Sequence, residues 1–397
     1  MEDNKFYTSY TKMDTYKECP QKYNYKYIEK LEKKAKTRSL YVGIHIHKLI
    51  ELFYLHRNTE LLNARIEEYN KFINDPVNLD RINFLKDQTT AELENFLKNL
   101  SEEDDPVLLT KIKDTIKARE EAVELCYDTL TWRNYLTVSI KEQYNQLPES
   151  DKEEIGTNYL EDLARIMAQY EYYYSNDNIV AIDLEHSKTC SLGNFNGKDV
   201  ILNYICDGIV RLPNNKLYII EHKSFKDNPM TYEETWLNVQ TAIYVSSLRS
   251  QGYQIEGVLW DNIKSTAPKQ PNILKNGNYG KQTSNVTLFS FISIDTILEG
   301  PEAVREAINN LPEEIKNLGV QENYNNFLLR HITIFNENAV DVIWKDTATV
   351  LQDITGNPRM FRNMGWTCNG CPYKEICQAE MLGQDSSELK SISYIKR

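Results

Sequence analysis

Residues 217–225 read LYIIEHKSF, and this short run constrains the fold more than any other. Its apolar, β-branched and aromatic first half has the composition of a buried strand, yet it continues into Glu221, His222 and Lys223 side by side. Unpaired ionised groups are costly to bury, so the strand must run into a site that compensates charge. Strand alternation puts Leu217, Ile219, Glu221 and Lys223 on one face and Tyr218, Ile220 and His222 on the other, so Glu221 and Lys223 converge. Across a turn at Pro213, Asn214 and Asn215 lies GKDVILNYICDGIVRL, a β-rich run that carries Asp207 followed by Gly208, a residue that permits close backbone approach. A hairpin would bring Asp207 beside Glu221. Two carboxylates at neighbouring strand ends repel each other unless a cation lies between them, and hard oxygen ligands select Mg²⁺ or Mn²⁺. Taken alone, Glu-x-Lys is more often a structural ion pair at a strand end.

The flanking sequence changes period around this run. From about 60 to 175 it is almost free of glycine, rich in Leu, Glu and Lys at helical spacing, and broken by NDPVN, EEDDP and LPESD. NIVAIDLEHSK is a further strand before the hairpin. TYEETWLNVQTAIYVSSLRSQG is expected to be one helix ending at Gly252, and IEGVLWDNI and NVTLFSFISI to be strands, with helices resuming from about 296 to 356. The order implies an α/β core with a mixed sheet flanked by helices. The expected divisions are an N-terminal segment 1–56, an all-helical insertion 57–178, a core 179–300, a helical region 301–356 and a cysteine-bearing segment 357–397.

With 397 residues and a formal charge of −12, the chain is long enough for two lobes and unsuited to coating nucleic acid by bulk charge. One local track opposes that balance. Lys17, Lys22, Lys26, Lys30, Lys33, Lys34, Lys36 and Arg38 stand against Glu18, Glu29 and Glu32, interleaved with tyrosines. By itself such a track is more often a solvated surface; its functional reading is that alternating Tyr and Lys stack on bases and contact phosphates where DNA enters. No apolar run approaches the roughly 20 residues that span a bilayer, and MEDNKFYTSY lacks a signal-peptide layout, so a cytoplasmic location is expected, in the host if the chain is phage-encoded. An odd count of seven cysteines argues against a disulfide framework.

The order of these residues resembles the PD-(D/E)XK nuclease superfamily, in particular its RecB-type branch, which includes phage exonucleases and CRISPR adaptation nucleases. Asp207 and the Glu221-His222-Lys223 run match the family's Asp and (D/E)-x-K positions. GIHIHKLIE matches the branch's G-x3-H-x3-E helix through Gly43, His47 and Glu51, and QTAIY its Q-x3-Y motif through Gln240 and Tyr244. The leading Pro-Asp pair is replaced here by CDGIV. The resemblance covers roughly 5–56 and 179–397 and implies a restriction-endonuclease-like fold. It implies one or two Mg²⁺ or Mn²⁺ ions held by His47, Asp207, Glu221 and the backbone carbonyl of His222. Glu185 fits an additional acidic position, as a further ligand or a hydrogen-bond acceptor behind the ligands. Lys223 would position the nucleophile, and Gln240 and Tyr244 would hold the nucleic-acid backbone. His45 is expected to be solvated or packed. Lys269, Lys275 and Lys281, in a polar loop, are candidate phosphate contacts or ordinary exposed lysines.

Cys368, Cys371 and Cys377 fall within ten residues, which suggests a metal centre lacking one ligand. Members of the same branch join one N-terminal cysteine to three C-terminal ones around a 4Fe–4S cluster, and Cys19 matches the former. Zinc suits four thiolates equally well. Cys126, Cys190 and Cys206 read as ordinary buried cysteines. The expectation is therefore a metal-dependent deoxyribonuclease, most simply an exonuclease of phage or mobile-element DNA processing. It would act on single-stranded DNA or a duplex end, with a helicase or recombinase as a conceivable partner and no membrane. The alternatives are a catalytically silent DNA-binding subunit, an RNase of the same fold, and a zinc-dependent binding protein.

Overall fold

The computed structural model describes residues 4–33, 38–84, 88, 93, 106–125, 131–273, 275, 285–316 and 326–396. Cys126, Lys34, Lys36 and Lys281 lie outside the described residues. The chain divides into two compact units, Met1–His47 with Gln143–Arg397, and Lys48–Glu142. The second unit is narrower than the expected insertion 57–178. Its helices start where local chemistry caps them. Asn58 caps the helix Thr59–Asn74 by accepting from the backbone N–H groups of Glu60 and Leu61, and Asp75 with Pro76 starts the next helix, Pro76–Asn83. Leu93, Ile112 and Ile116 form its small core.

In the first unit, β1 (Lys5–Thr8) leads into α1 (Tyr10–Glu18) and β2 (Leu31–Lys33), and α2 (Arg38–Leu55) begins there and continues past His47 into the residues of the second. After the second unit come α3 (Tyr159–Tyr174), β3 (Val180–Leu184), β4 (Ser187–Phe195), β5 (Lys198–Ile205), β6 (Gly208–Arg211) and β7 (Leu217–Phe225). The remainder contributes α4 (Val239–Ser250), β8 (Ile255–Lys264), β9 (Leu328–Thr333), α5 (Glu337–Thr355), α6 (Lys374–Met381) and β10 (Tyr394–Lys396). A five-stranded mixed sheet has the order β3-β6-β7-β8-β9, with β7 and β8 parallel. A second sheet has the order β1-β5-β4, and a third joins β10 to β2. The main core gathers Val200, Leu202, Ile209 and Ile219 from the strands, Ala242, Val245 and Leu248 from α4, and Leu351 and Ile354 from α5. This is the α/β architecture, a mixed sheet flanked by helices, expected from the sequence.

Several local expectations are corrected. The run 197–212 is not one strand: β5 belongs to the three-stranded sheet and β6 to the five-stranded one, and the chain crosses between them at Cys206–Asp207. β5 pairs instead with β4 through a tight turn at Asn196 and Gly197, both at positive φ, a turn chemistry that an Asn-Gly pair supplies. NVTLFSFISI is a 3₁₀ turn, Leu288–Phe291, because Thr287 and Ser290 cap one another across it. The missing strand is β9, which lies in the stretch expected to be helical and pairs antiparallel with β8. The helix expected over 231–252 breaks where Asn238 caps α4 by accepting from the Thr241 N–H. No described helix is long and apolar enough to cross a membrane.

The basic track is also rearranged. Tyr16, Tyr23 and Tyr25 are buried in cores, so they are not available to stack on bases. Lys17, Lys26 and Lys30 are exposed.

Candidate metal centre

β6 and β7 pair antiparallel with Gly208 opposite Ile220, which brings the residue before Gly208 alongside Glu221. The approach is tight. A Cβ on Gly208 would lie 2.9 Å from both Ile220 Cγ2 and Leu184 Cδ2, overpacking that costs roughly 1–3 kcal/mol. Asp207 is fixed by main chain on two sides: its Oδ2 accepts from the His222 N–H at 2.6 Å, and its carbonyl accepts from the Glu185 N–H at 3.1 Å. Glu185 itself takes φ +46°, a left-handed conformation that costs a non-glycine residue about 1–2 kcal/mol. The resulting turn at the end of β3 points the carboxylate back at α2.

There it meets His47. Its Nδ1 lies 3.4 Å from Asp207 Oδ1 and 3.7 Å from Glu185 Oε1. Potential ligand atoms of His47, Glu185 and Asp207 all fall within 4.8 Å of one another. Glu221 is buried, and Lys223 donates to its Oε1 at 2.6 Å while Oε2 is buried with no hydrogen bond. Gln240 Nε2 donates to the Tyr244 hydroxyl at 3.2 Å on α4, and burial is the main cause that raises the Tyr244 hydroxyl to about 12, with Glu221 and Asp207 adding to it. Glu51 is buried and pairs with Lys48 at 2.7 Å.

The charges are unevenly settled. Burial and then the neighbouring Asp207 charge push Glu221 up to about 7, against the pull of Lys223. For Asp207 burial acts the same way, but His47 and the His222 N–H overcome it and hold the carboxyl below its usual range. Burial disfavours the His47 imidazolium, yet Asp207 and Glu185 raise it to about 10. Acidic groups crowded to this degree, with one carboxylate oxygen buried and bare, suit a divalent cation. The side chains present fit such an ion by donor chemistry.

The four candidate cluster cysteines line one cavity of about 230 Å³, together with Lys22, Tyr25, Arg362 and Tyr373. Arg362 Nε donates to Cys377 Sγ at 3.3 Å. The walls are tied by chain ends: β2 pairs with β10, the Gln21 N–H donates to the Phe361 carbonyl at 3.0 Å, and the Tyr373 hydroxyl donates to the Leu31 carbonyl at 2.7 Å.

His45 is packed, with its ring nitrogens 2.5 Å from the Tyr159 hydroxyl and 3.2 Å from Gln143 Oε1. Cys206 is buried, and that burial pushes its thiol up to about 12. Cys190 is only half-buried, contrary to expectation. Lys269 and Lys275 are exposed. Sequence reasoning left out Asp261, which meets the His222 ring, and Arg330 and Tyr170, which meet Asp261. The signal for Asp261 was present: an acidic residue inside the apolar strand VLWDNI poses the same question as Glu221.

No curated protein matches the chain. A solved structure titled "Crystal structure of SSO0001" aligns over 61% of this chain and 80% of its own at 14% identity and a TM-score of 0.26, a likeness too weak to bear on fold or function. The family model described as the PD-(D/E)XK nuclease superfamily matches residues 7–378, nearly the whole chain and both halves of the carboxylate centre. The chain belongs to the PD-(D/E)XK nuclease superfamily.

Proposed function

We propose that this protein is a divalent-metal-dependent deoxyribonuclease of the RecB-type branch, acting as an exonuclease in phage or mobile-element DNA processing. The observation that carries the reading is the convergence of His47, Glu185 and Asp207 within 4.8 Å beside a buried Glu221 oxygen without a hydrogen bond. His47, Asp207, Glu221 and the backbone carbonyl of His222 would hold one or two Mg²⁺ or Mn²⁺ ions, with Glu185 as a further ligand. Such an ion supplies Lewis-acid stabilisation of phosphate charge and an activated water. Lys223, half-buried and already turned toward the carboxylates, orients the attacking water and offsets charge that builds on the phosphate. Gln240 and Tyr244 grip the scissile strand, and the exposed Lys17, Lys26 and Lys30 contact phosphates further along.

The four cysteines are assigned a structural 4Fe–4S cluster. The resemblance to cluster-bearing members of the branch, together with the single cavity that all four cysteines line, supports a polynuclear cluster over a single zinc ion. Anaerobically purified protein is expected to be brown and to contain iron and sulfide rather than zinc.

The test of activity is digestion of end-labelled single-stranded and duplex DNA by the pure protein. Cleavage is expected with Mg²⁺ or Mn²⁺ and not with EDTA. Binding without cleavage under every metal condition would favour the silent DNA-binding subunit instead.

A further inference from the structure

We infer that the His222 side chain, on the face of β7 away from Glu221 and Lys223, braces the cation ligands and is itself positioned by the buried Asp261 and Tyr170 and the half-buried Arg330. The affinity of the centre for its cation would therefore be set from behind the sheet. This inference rests on the metal-site reading above.

His222 touches two of the candidate ligands by different means. Its backbone N–H donates to Asp207 Oδ2 at 2.6 Å, and its ring packs edge-on against the His47 ring with centroids 5.8 Å apart. A rotation or slip of His222 would therefore disturb both ligands together. The ring is held at its far side by Asp261, whose Oδ2 lies 3.0 Å from His222 Nδ1. Since Asp261 is paired with a guanidinium, it is a carboxylate and accepts only, so Nδ1 carries the hydrogen.

Asp261 is held in turn. Arg330 Nε donates to its Oδ1 at 2.8 Å, and the Tyr170 hydroxyl donates to its Oδ2. His222 is opposite Asp261 in the β7–β8 pair, and Asp261 is opposite Arg330 in the β8–β9 pair. The three side chains thus form one row across three adjacent strands. Arg330 is anchored further by Asp177 at 2.7 Å and lies 3.3 Å from the centroid of the Tyr174 ring.

Stability alone is a poor reason for such a row. Buried ion pairs are often replaced by packed apolar groups with no loss of stability, because the desolvation cost offsets the attraction. What an apolar row would not supply is a fixed orientation for the His222 ring. Outer groups that orient metal sites typically alter affinity ten- to a hundredfold when removed.

The experiment is Mn²⁺ titration of the full chain without DNA, read by the electron paramagnetic resonance of free Mn²⁺ at a temperature well below each variant's melting point. Asp261→Asn is expected to weaken Mn²⁺ binding about ten- to a hundredfold, and Tyr170→Phe, which removes one hydroxyl, about threefold or more in the same direction. Leu351→Ala, a destabilising change in the buried core, controls for lost stability and is expected to leave Mn²⁺ affinity unchanged. Affinity within about twofold of wild type in folded Asp261→Asn overturns the inference. If that variant does not fold, the same result in Tyr170→Phe overturns it. Equal weakening by Leu351→Ala also overturns it. A wild-type protein with no saturable Mn²⁺ site overturns the metal reading and the inference together. Wild-type binding that Asp207→Ala removes and Asp261→Asn does not alter overturns the inference alone.

Discussion

The first unit carries two clusters of potential metal ligands, and they are built in opposite ways. The carboxylate centre sits on a finished scaffold. Asp207 is pinned by two main-chain hydrogen bonds, Glu221 and His222 are 2% exposed, and ligand atoms of His47, Glu185 and Asp207 are already gathered. The four cysteines stand half-buried around an open cavity, in a module whose buried core, among the described residues, is Tyr25, Leu31, Tyr373, Ile376 and Tyr394. One wall of that module comes from near the start of the chain and the other from near its end. The contrast implies different duties. An ion at the first site would be a tool added to a scaffold that main-chain hydrogen bonds and burial already fix. An ion or cluster at the second would be part of what holds the structure together, as in small domains whose cores are too thin to be stable alone.

The sharpest break in that comparison comes from removing one group at each site. Asp207→Ala or Lys223→Ala is expected to lower DNA cleavage by about a thousandfold or more while leaving DNA binding measurable and the far-ultraviolet circular dichroism intact. Retained cleavage by both variants would dismiss the site assignment. Cys371→Ser should do the reverse. It is expected to remove the visible absorption and to expose the chain ends around 19–33 and 361–396 to limited proteolysis, with Mn²⁺ affinity of the remaining core within a few-fold of wild type. A Cys371→Ser protein with unchanged protease resistance would mean that the aromatic core and the β2–β10 pair suffice, and the structural duty would fall away.

The two sites also differed in how much of them could be read beforehand. Glu221, Lys223 and Asp207 were legible because strand alternation and a two-strand turn are local rules. His47 and Cys19 were legible only through the resemblance to the family, and Cys368, Cys371 and Cys377 through their closeness within ten residues. The crossing of the chain between sheets at Asp207 was not, since nothing in CDGIV distinguishes one bent strand from two strands in different sheets. β9 was hidden for a related reason: a six-residue apolar and mixed run between helices is decided by its partner, and that partner, β8, is distant in sequence. With β9 unseen, Arg330 could not be placed opposite Asp261, so the row behind His222 stayed invisible even though Asp261 was anomalous in its own strand. The tyrosines of the basic track were misread because amphipathic spacing does not say which face is covered. Tyr16 packs edge-on against Tyr23 at 5.4 Å, inside the core rather than on a binding surface.

The smallest effect sharpens the contrast by proton accounting. Without a cation, a protonated His47 supplies positive charge to Asp207 and Glu185, with its acidity weakened to about 10 from an ordinary value near 6.5. Its raised value means that this contribution to the ion-free fold is complete below about pH 6.5 and is lost as pH rises through about 10. A cation must displace that proton. Between pH 7 and pH 8.5, apparent Mn²⁺ affinity is therefore expected to rise by about tenfold per pH unit, one proton being released. Below about 7, where Glu221 also binds a proton, a second proton competes and the dependence steepens toward about a hundredfold per unit. Titration calorimetry under nitrogen in buffers of differing ionisation enthalpy counts the released protons directly. His47→Gln should flatten the slope above pH 7 and leave the Glu221 component below it. An affinity that does not vary with pH would show that the cation, wherever it binds, does not take the place of the His47 proton.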